Sequence, residues 1–257
     1  MPLSMNSMRR TALVAGILYL ITFASSIPAA LLLGSALGNP DYILGAGADG
    51  NIRLAALFDI INGLTAIGTA LALYSVVKRQ HEGFAIGFVA SRLFEAAILF
   101  VGILSVLSIA TLRETAAAAT DPASLAAIGL SFTTLYQWAF ALGTGIPALN
   151  AFLLGWLLYR SRLVPRAIPV LGLIGAPLFT SWIVGYIFGI TEGGTAWHAI
   201  GVAPIFFWEL SLGLWMTFKG FRKDAPLMVE AAEAARPVES ASVSRSSIGV
   251  ASKSGAA

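Results

Sequence analysis

Four ionisable side chains sit in surroundings that are otherwise apolar. Asp59 follows Leu57 and Phe58 and precedes Ile60 and Ile61. Arg92 and Glu95 lie in the run from Phe88 to Phe100, and Glu209 is flanked by Trp208 and Leu210. At three residues' separation, Arg92 and Glu95 share one face of a helix and lie within reach of each other. Asn62 lies one turn from Asp59 on a stripe that continues through Gly63, Ala66, Thr69 and Ala70. That is a small-and-polar face at helical spacing. Gln137, with Thr133 and Thr144, gives a fourth segment a milder polar face. The candidate interior site is therefore Asp59, Asn62, Arg92, Glu95, Gln137 and Glu209.

The chemistry open to this set follows from its charge. Three carboxylates face one guanidinium, which stays protonated. An arginine neutralises at most one carboxylate cleanly in a bidentate pair. The others must be hydrated, hold a cation or take up a proton. A proton relay or a coupled carrier uses carboxylates in that condition, and so does a polar cluster that merely holds helices together. At the level of sequence both readings stand.

Other motifs point nowhere. The stretch Gly45-Ala46-Gly47-Ala48-Asp49-Gly50 matches G-x-G-x-x-G letter for letter, but it falls between two apolar segments rather than between a strand and a helix. His81-Glu82 has no second histidine four residues on, and Glu209-Leu210-Ser211-Leu212-Gly213 lacks the leading glycine of a nucleophile elbow. The chain has no cysteine and only two histidines, His81 and His198, which removes thiolate and histidine-rich metal centres. No cofactor is expected, and no catalytic set is recognisable.

The elements that must position the charged groups are apolar throughout. Of 257 residues, 57% are hydrophobic and 11% charged, against about 25% charged in a soluble domain. Such a chain cannot clothe a soluble surface. Its expected partner is a lipid bilayer and not nucleic acid. Six apolar stretches, about Ala12–Leu37, Ile52–Val77, Phe84–Ala110, Leu125–Tyr159, Ala167–Ile190 and Trp197–Phe218, each reach the ~20 residues that cross a ~30 Å hydrocarbon layer. Helices satisfy their own backbone in lipid, and the alternating ten-residue pattern of a barrel is absent, so the predicted fold is all-α: a bundle of six transmembrane helices. The first stretch is too long for a signal-peptide core and reads as a retained helix.

Placing the N-terminus in the cytoplasm puts Arg9, Arg10, Lys78, Arg79, Arg160, Arg162, Arg166, Lys219, Arg222 and Lys223 inside. Only Arg53 and Arg113 are then left outside. Both termini are then cytoplasmic. The fourth stretch is long enough to raise the question of two crossings. Splitting it would carry the Arg160–Arg166 cluster outside, so a single helix over about Phe132–Tyr159 is expected, kinked near Pro147 and preceded by an interfacial turn. Residues 1–223 form the membrane domain in this reading. From Asp224 the composition turns to Ala, Ser, Glu and Val, which predicts a disordered tail over 224–257. Gly83/Gly87 and Gly185/Gly189 have small-xxx-small spacing, which suits helix packing and admits an oligomer or a membrane partner.

Several segments together resemble a bacterial membrane family catalogued as domain of unknown function 4386. They are Gly16-Ile17-Leu18-Tyr19-Leu20-Ile21-Thr22, Arg92-Leu93-Phe94-Glu95-Ala96, Leu154-Gly155-Trp156 through Val164-Pro165-Arg166, and Glu209-Leu210-Ser211-Leu212-Gly213-Leu214-Trp215 with Lys219-Gly220. The resemblance runs from about Met8 to Gly220. Family patterns often carry glycine where Arg162 stands, and the serine-rich tail has no counterpart. The resemblance implies a polytopic inner-membrane protein, adds interest to Arg92, Glu95 and Glu209, and supplies no reaction. A small-molecule or proton ligand is the expectation that the charged residues themselves raise.

Overall fold

A helix forms wherever this sequence runs apolar, because only a helix leaves no backbone amide unsatisfied in lipid. The computed structural model describes residues 5–37, 42–45, 49–115 and 121–234. Its elements are α1 (Met5–Leu37), α2 (Asp49–Val77), α3 (Glu82–Thr115), α4 (Pro122–Ser161), α5 (Ala167–Ile187), α6 (Ala196–Phe218) and α7 (Pro226–Ala234). The first six are long and apolar enough to cross a membrane, and no strand occurs among the described residues. The protein is a multi-pass, all-α membrane bundle. Its outer surface agrees, since Leu31, Leu104 and Phe207 are 72%, 66% and 57% exposed, a costly display in water but not in acyl chains.

Each of these six helices packs on its neighbours in sequence, and α6 closes the ring against α1. The short connections turn the chain back each time, so Arg9 at the start of α1 meets the end of α6. There its guanidinium donates to the carbonyls of Met216 and Thr217 at 3.3 and 3.2 Å. These carbonyls belong to a helix C-terminus, where a cation is favoured. The charged residues from Lys78, Arg160 and Lys219 onward gather at this same basic end.

Two apolar cores fill the ring. One, toward the basic end, is built on Met8, Tyr19, Leu73, Phe88, Leu154, Trp208 and Leu212. The other, toward the far end, is built on Leu33, Ile43, Ile52, Val106, Ile109 and Leu125. On α1 to α4, the residues between these two sets line a cavity instead of a core.

Three expectations need revision. The fourth stretch is a single helix, but no interfacial turn precedes Phe132: α4 begins ten residues earlier and runs for 40. Asp121 caps it by accepting from the Ser124 amide at 3.0 Å, Pro122 suits its first turn, and the bare face of Gly129 seats Ile43 of the α1–α2 connection. Second, residues 224–234 are not tail-like, because α7 folds back onto the basic-end core with Ala225 and Met228 buried. The Arg222 amide donates to the Leu163 carbonyl at 2.8 Å, tying this junction to the α4–α5 turn. Arg222 also grips Asp224 at 2.5 and 3.0 Å, which holds that exposed carboxyl below its usual range. The rest of the predicted tail, 235–257, lies outside the described residues. Third, Gly185 and Gly189 close a turn rather than pack two helices. Gly189 has φ +67°, and the Gly185 carbonyl accepts from the Ile190 amide at 2.8 Å, ending α5. Gly87, by contrast, does meet α4, at Leu153.

Arg162 caps α4 with φ +55°, in the left-handed region where glycine is at ease and a side chain is strained. Of the glycine-rich loop Gly45–Gly50, residues 46–48 lie outside the described residues, while Asp49 and Gly50 already belong to α2.

Candidate functional site

The site begins with a close contact between α1 and α6. Gly16 of α1 lies so near α6 that an added Cβ would stand 2.5 Å from the Thr217 amide nitrogen and 2.9 Å from the Gly213 carbonyl oxygen. A Cβ on Gly213 would meet that of Tyr19 at 3.0 Å. Two glycines thus let α1 and α6 approach almost backbone to backbone, which carries Tyr19 and Glu209 to the centre of the ring.

Arg92 is waiting there, its side chain 3% exposed. Nη1 donates to Glu95 at 3.0 and 3.3 Å, and Nη2 to the Tyr19 hydroxyl at 3.2 Å and to Oε1 of Glu209. The guanidinium also lies 5.4 Å from the Tyr19 ring centroid and 5.8 Å from that of Phe88. The arginine is therefore shared by two carboxylates instead of neutralising one. Glu95, one turn along its own helix, takes one nitrogen, and the close approach of α6 delivers Glu209 to the other. Glu95 is held further by Asn150 of α4, whose Nδ2 donates at 2.7 Å, and Ser91 donates to Oδ1 of the same amide. Side chains from α1, α3, α4 and α6 are joined in one network. An isolated charge at such depth costs on the order of 2.5–3.5 kcal/mol on insertion scales, and this network offsets that cost.

A cavity of about 290 Å³ adjoins the network. Arg92, Glu95 and Glu209 line one end. Asp59 and Asn62 line it from α2, Thr22 and Ser26 from α1, and Tyr136, Phe140, Gly143, Thr144 and Pro147 from α4. Gly63 lies level with Leu99 and Phe100 of α3, so Asp59 stands ~12 Å further along the bundle than Glu95, toward the far end. Asp59 is only 9% exposed and has no hydrogen bond or ion pair with any described residue. Beyond it the bundle is closed by a second arginine. Arg113 pairs with Asp49 at 3.0 Å, donates to the Gly45 carbonyl and lies 4.1 Å over the Tyr42 ring. The Tyr42 hydroxyl donates to Asp49 at 2.8 Å, and burial together with that bond raises its pKa, so it remains a donor.

Of the six residues expected at an interior site, Asp59, Asn62, Arg92, Glu95 and Glu209 line this one cavity. Gln137 does not: it is exposed on the outer face of α4, and Thr133 also stands apart. The lining positions of α4, from Tyr136 through Phe140, Gly143 and Thr144 to Pro147, run at helical spacing. Asn150 continues that stripe beside Gly143, while Gln137 falls just past its opposite edge, about 20° beyond Thr144. The seven-residue step from Gly143, which borders the cavity, leads to Asn150. Tyr19 carried a signal too, in the glycine three residues before it. His198 belongs elsewhere, in an aromatic group with Trp182 (ring centroids 4.3 Å apart) and Phe179. Arg53, at the far-end boundary, pairs with Glu114 at 2.5 Å. No three metal-ligating side chains converge among the described residues.

The chain belongs to the family described as domain of unknown function (DUF4386), whose pattern it matches over residues 14–220. That range contains every residue lining the cavity and stops short of α7. No curated protein and no solved structure matches the chain.

Proposed function

We propose that the protein is a carrier or sensor that takes a proton or a small polar solute into the cavity between its two apolar cores. It would work in a bacterial plasma membrane with both termini in the cytoplasm. The basic end, with ten of the twelve lysines and arginines flanking the spans, is the cytoplasmic side in this reading. One observation carries the proposal. The three in-span carboxylates line a single cavity, and one of them, Asp59, has no partner among the described residues. A carboxylate that serves only packing has no reason to face empty volume, whereas a relay or binding group must.

Purified protein reconstituted in vesicles with an internal pH-sensitive dye provides the test. An imposed pH gradient should collapse faster than in protein-free vesicles. Asp59→Asn and Glu209→Gln should abolish the difference while leaving folded protein in the membrane. Wild-type vesicles that hold the gradient as well as empty ones, with and without added small solutes, would defeat the carrier reading.

The hold of Glu95, Glu209 and Tyr19 on Arg92 favours a second reading, an accessory subunit whose charges fix helix register. It predicts a membrane partner that co-purifies under gentle solubilisation and is lost when Arg92 is changed. Recovery of monomer alone would count against it.

A further inference from the structure

The cavity's two ends differ in what they can bind, and this difference narrows the ligand. An anion would need an accessible cationic donor, but both terminal nitrogens of Arg92 are taken by Glu95, Glu209 and Tyr19, and its Nε, though without a partner among the described residues, is buried. Three carboxylates against one guanidinium leave two negative charges, one shared inside the Arg92 network and the other on Asp59, which is nine-tenths buried and has no hydrogen bond or ion pair with any described residue. A bare metal ion would ask for about six oxygen ligands. The walls near Asp59 are instead largely aromatic and aliphatic. Tyr136 lies against Gly102 of α3, where an added Cβ would come within 3.5 Å of the ring, and Phe140 follows one turn on with its ring centroid 6.0 Å from that of Tyr136. Leu99 and Phe23 complete the apolar surface, and Asn62 adds one amide. A buried carboxylate beside π-faces, with greasy walls around them, is a receptor for an alkylammonium group. The carboxylate takes the charge, the rings add cation–π attraction and the walls take the hydrocarbon.

We infer that the cavity binds a small organic cation, an aliphatic amine in its protonated form, with Asp59 as counter-ion and Tyr136 and Phe140 as its aromatic wall. This rests on the reading above that the cavity is a ligand site, and it names the ligand class. A volume of about 290 Å³ fits a compact amine rather than a lipid or a peptide.

Titration calorimetry on the full chain in detergent micelles, with n-butylammonium, n-butanol and n-butyrate as probes of equal length and different charge, decides it. Butylammonium should bind saturably, at least tenfold more tightly than either other probe. Asp59→Asn should weaken it at least tenfold, and Gln137→Ala should leave it unchanged. Should Asp59→Asn fail to accumulate, Tyr136→Leu decides in its place, with about threefold or greater weakening expected from the lost cation–π contact. Butanol binding as tightly as the amine, butyrate binding in preference to it, or no saturable binding of the amine would each overturn the inference. Amine binding without any proton flux would support it and count against the carrier reading alone. Proton flux without amine binding would do the reverse.

Discussion

The cavity joins two buried charges that the protein treats in opposite ways. Arg92 is gripped from three helices by two carboxylates and a phenol, and Asn150 braces one of those carboxylates from a fourth. Asp59, further along the same cavity, has no hydrogen bond or ion pair with any described residue. Depth and surroundings are similar enough that burial alone does not account for the contrast. What differs is the use of neighbours. At the Arg92 end, glycines at 16 and 213 bring backbones together so that side chains can close on the guanidinium. At the Asp59 end, glycines at 63 and 102 make room for rings, against Phe100 and Tyr136. A satisfied charge fixes an arrangement of helices; an unsatisfied one is left for something that arrives. In the proposed reading, the same carboxylate chemistry serves architecture at one end and recognition at the other.

The strongest challenge to this contrast is Arg92→Leu. It leaves Glu95 and Glu209 facing each other without a cation and should cost about 3–5 kcal/mol, enough to deplete folded protein in the membrane. Thermal unfolding in detergent reads the loss. The triple change Arg92→Met, Glu95→Gln, Glu209→Gln should recover most of it, and an unchanged melting temperature for Arg92→Leu alone would erase the distinction between the two ends. Next comes Gly16→Ala, whose methyl would collide with α6 at the Thr217 amide. A loss of ~1–3 kcal/mol is expected, together with weaker protection of the α1–α6 contact in hydrogen exchange. Asn150→Leu strips the amide from Glu95 and Ser91 and should cost ~1–3 kcal/mol. A neutral result would show that Asn150 is not part of the brace. Smallest in stability is Asp59→Asn, with a change under ~1 kcal/mol expected because no bond is lost. If it destabilised as much as Arg92→Leu, Asp59 too would have to be counted as architecture.

The legible part of this protein is the part governed by local periodicity and composition. Six apolar stretches became six long helices, and Arg92 with Glu95 at three-residue spacing became an ion pair. The stripe from Asp59 through Asn62 and Ala66 became a cavity wall. What stayed hidden depends on contacts between distant segments. That Arg92 would be shared by two carboxylates follows from Gly16 lying against Thr217, two hundred residues on. Gln137 drew notice on one polar face with Thr133 and Thr144, but of the three only Thr144 borders the cavity, and Gln137 lies just past its edge. The extension of α4 to Pro122 is stabilised by Ile43 from another connection, and α7 by a core it only completes. The apolar stretch from Leu125 already covers most of the α4 extension, whereas the composition after Asp224 gives no sign of α7.

Pro147 has a mechanical consequence. Its ring removes the amide that would have bonded to the Gly143 carbonyl, and both residues border the cavity. This is the softest joint along a 40-residue rod, placed between Tyr136 and Phe140 on one side and Asn150 on the other. The segment anchored through Asn150 to Glu95 can act as a fixed stator, while the segment bearing the two rings tilts about the joint. A guest pressing on those rings would then be felt as a bend in α4, not as a rupture of the arginine clasp.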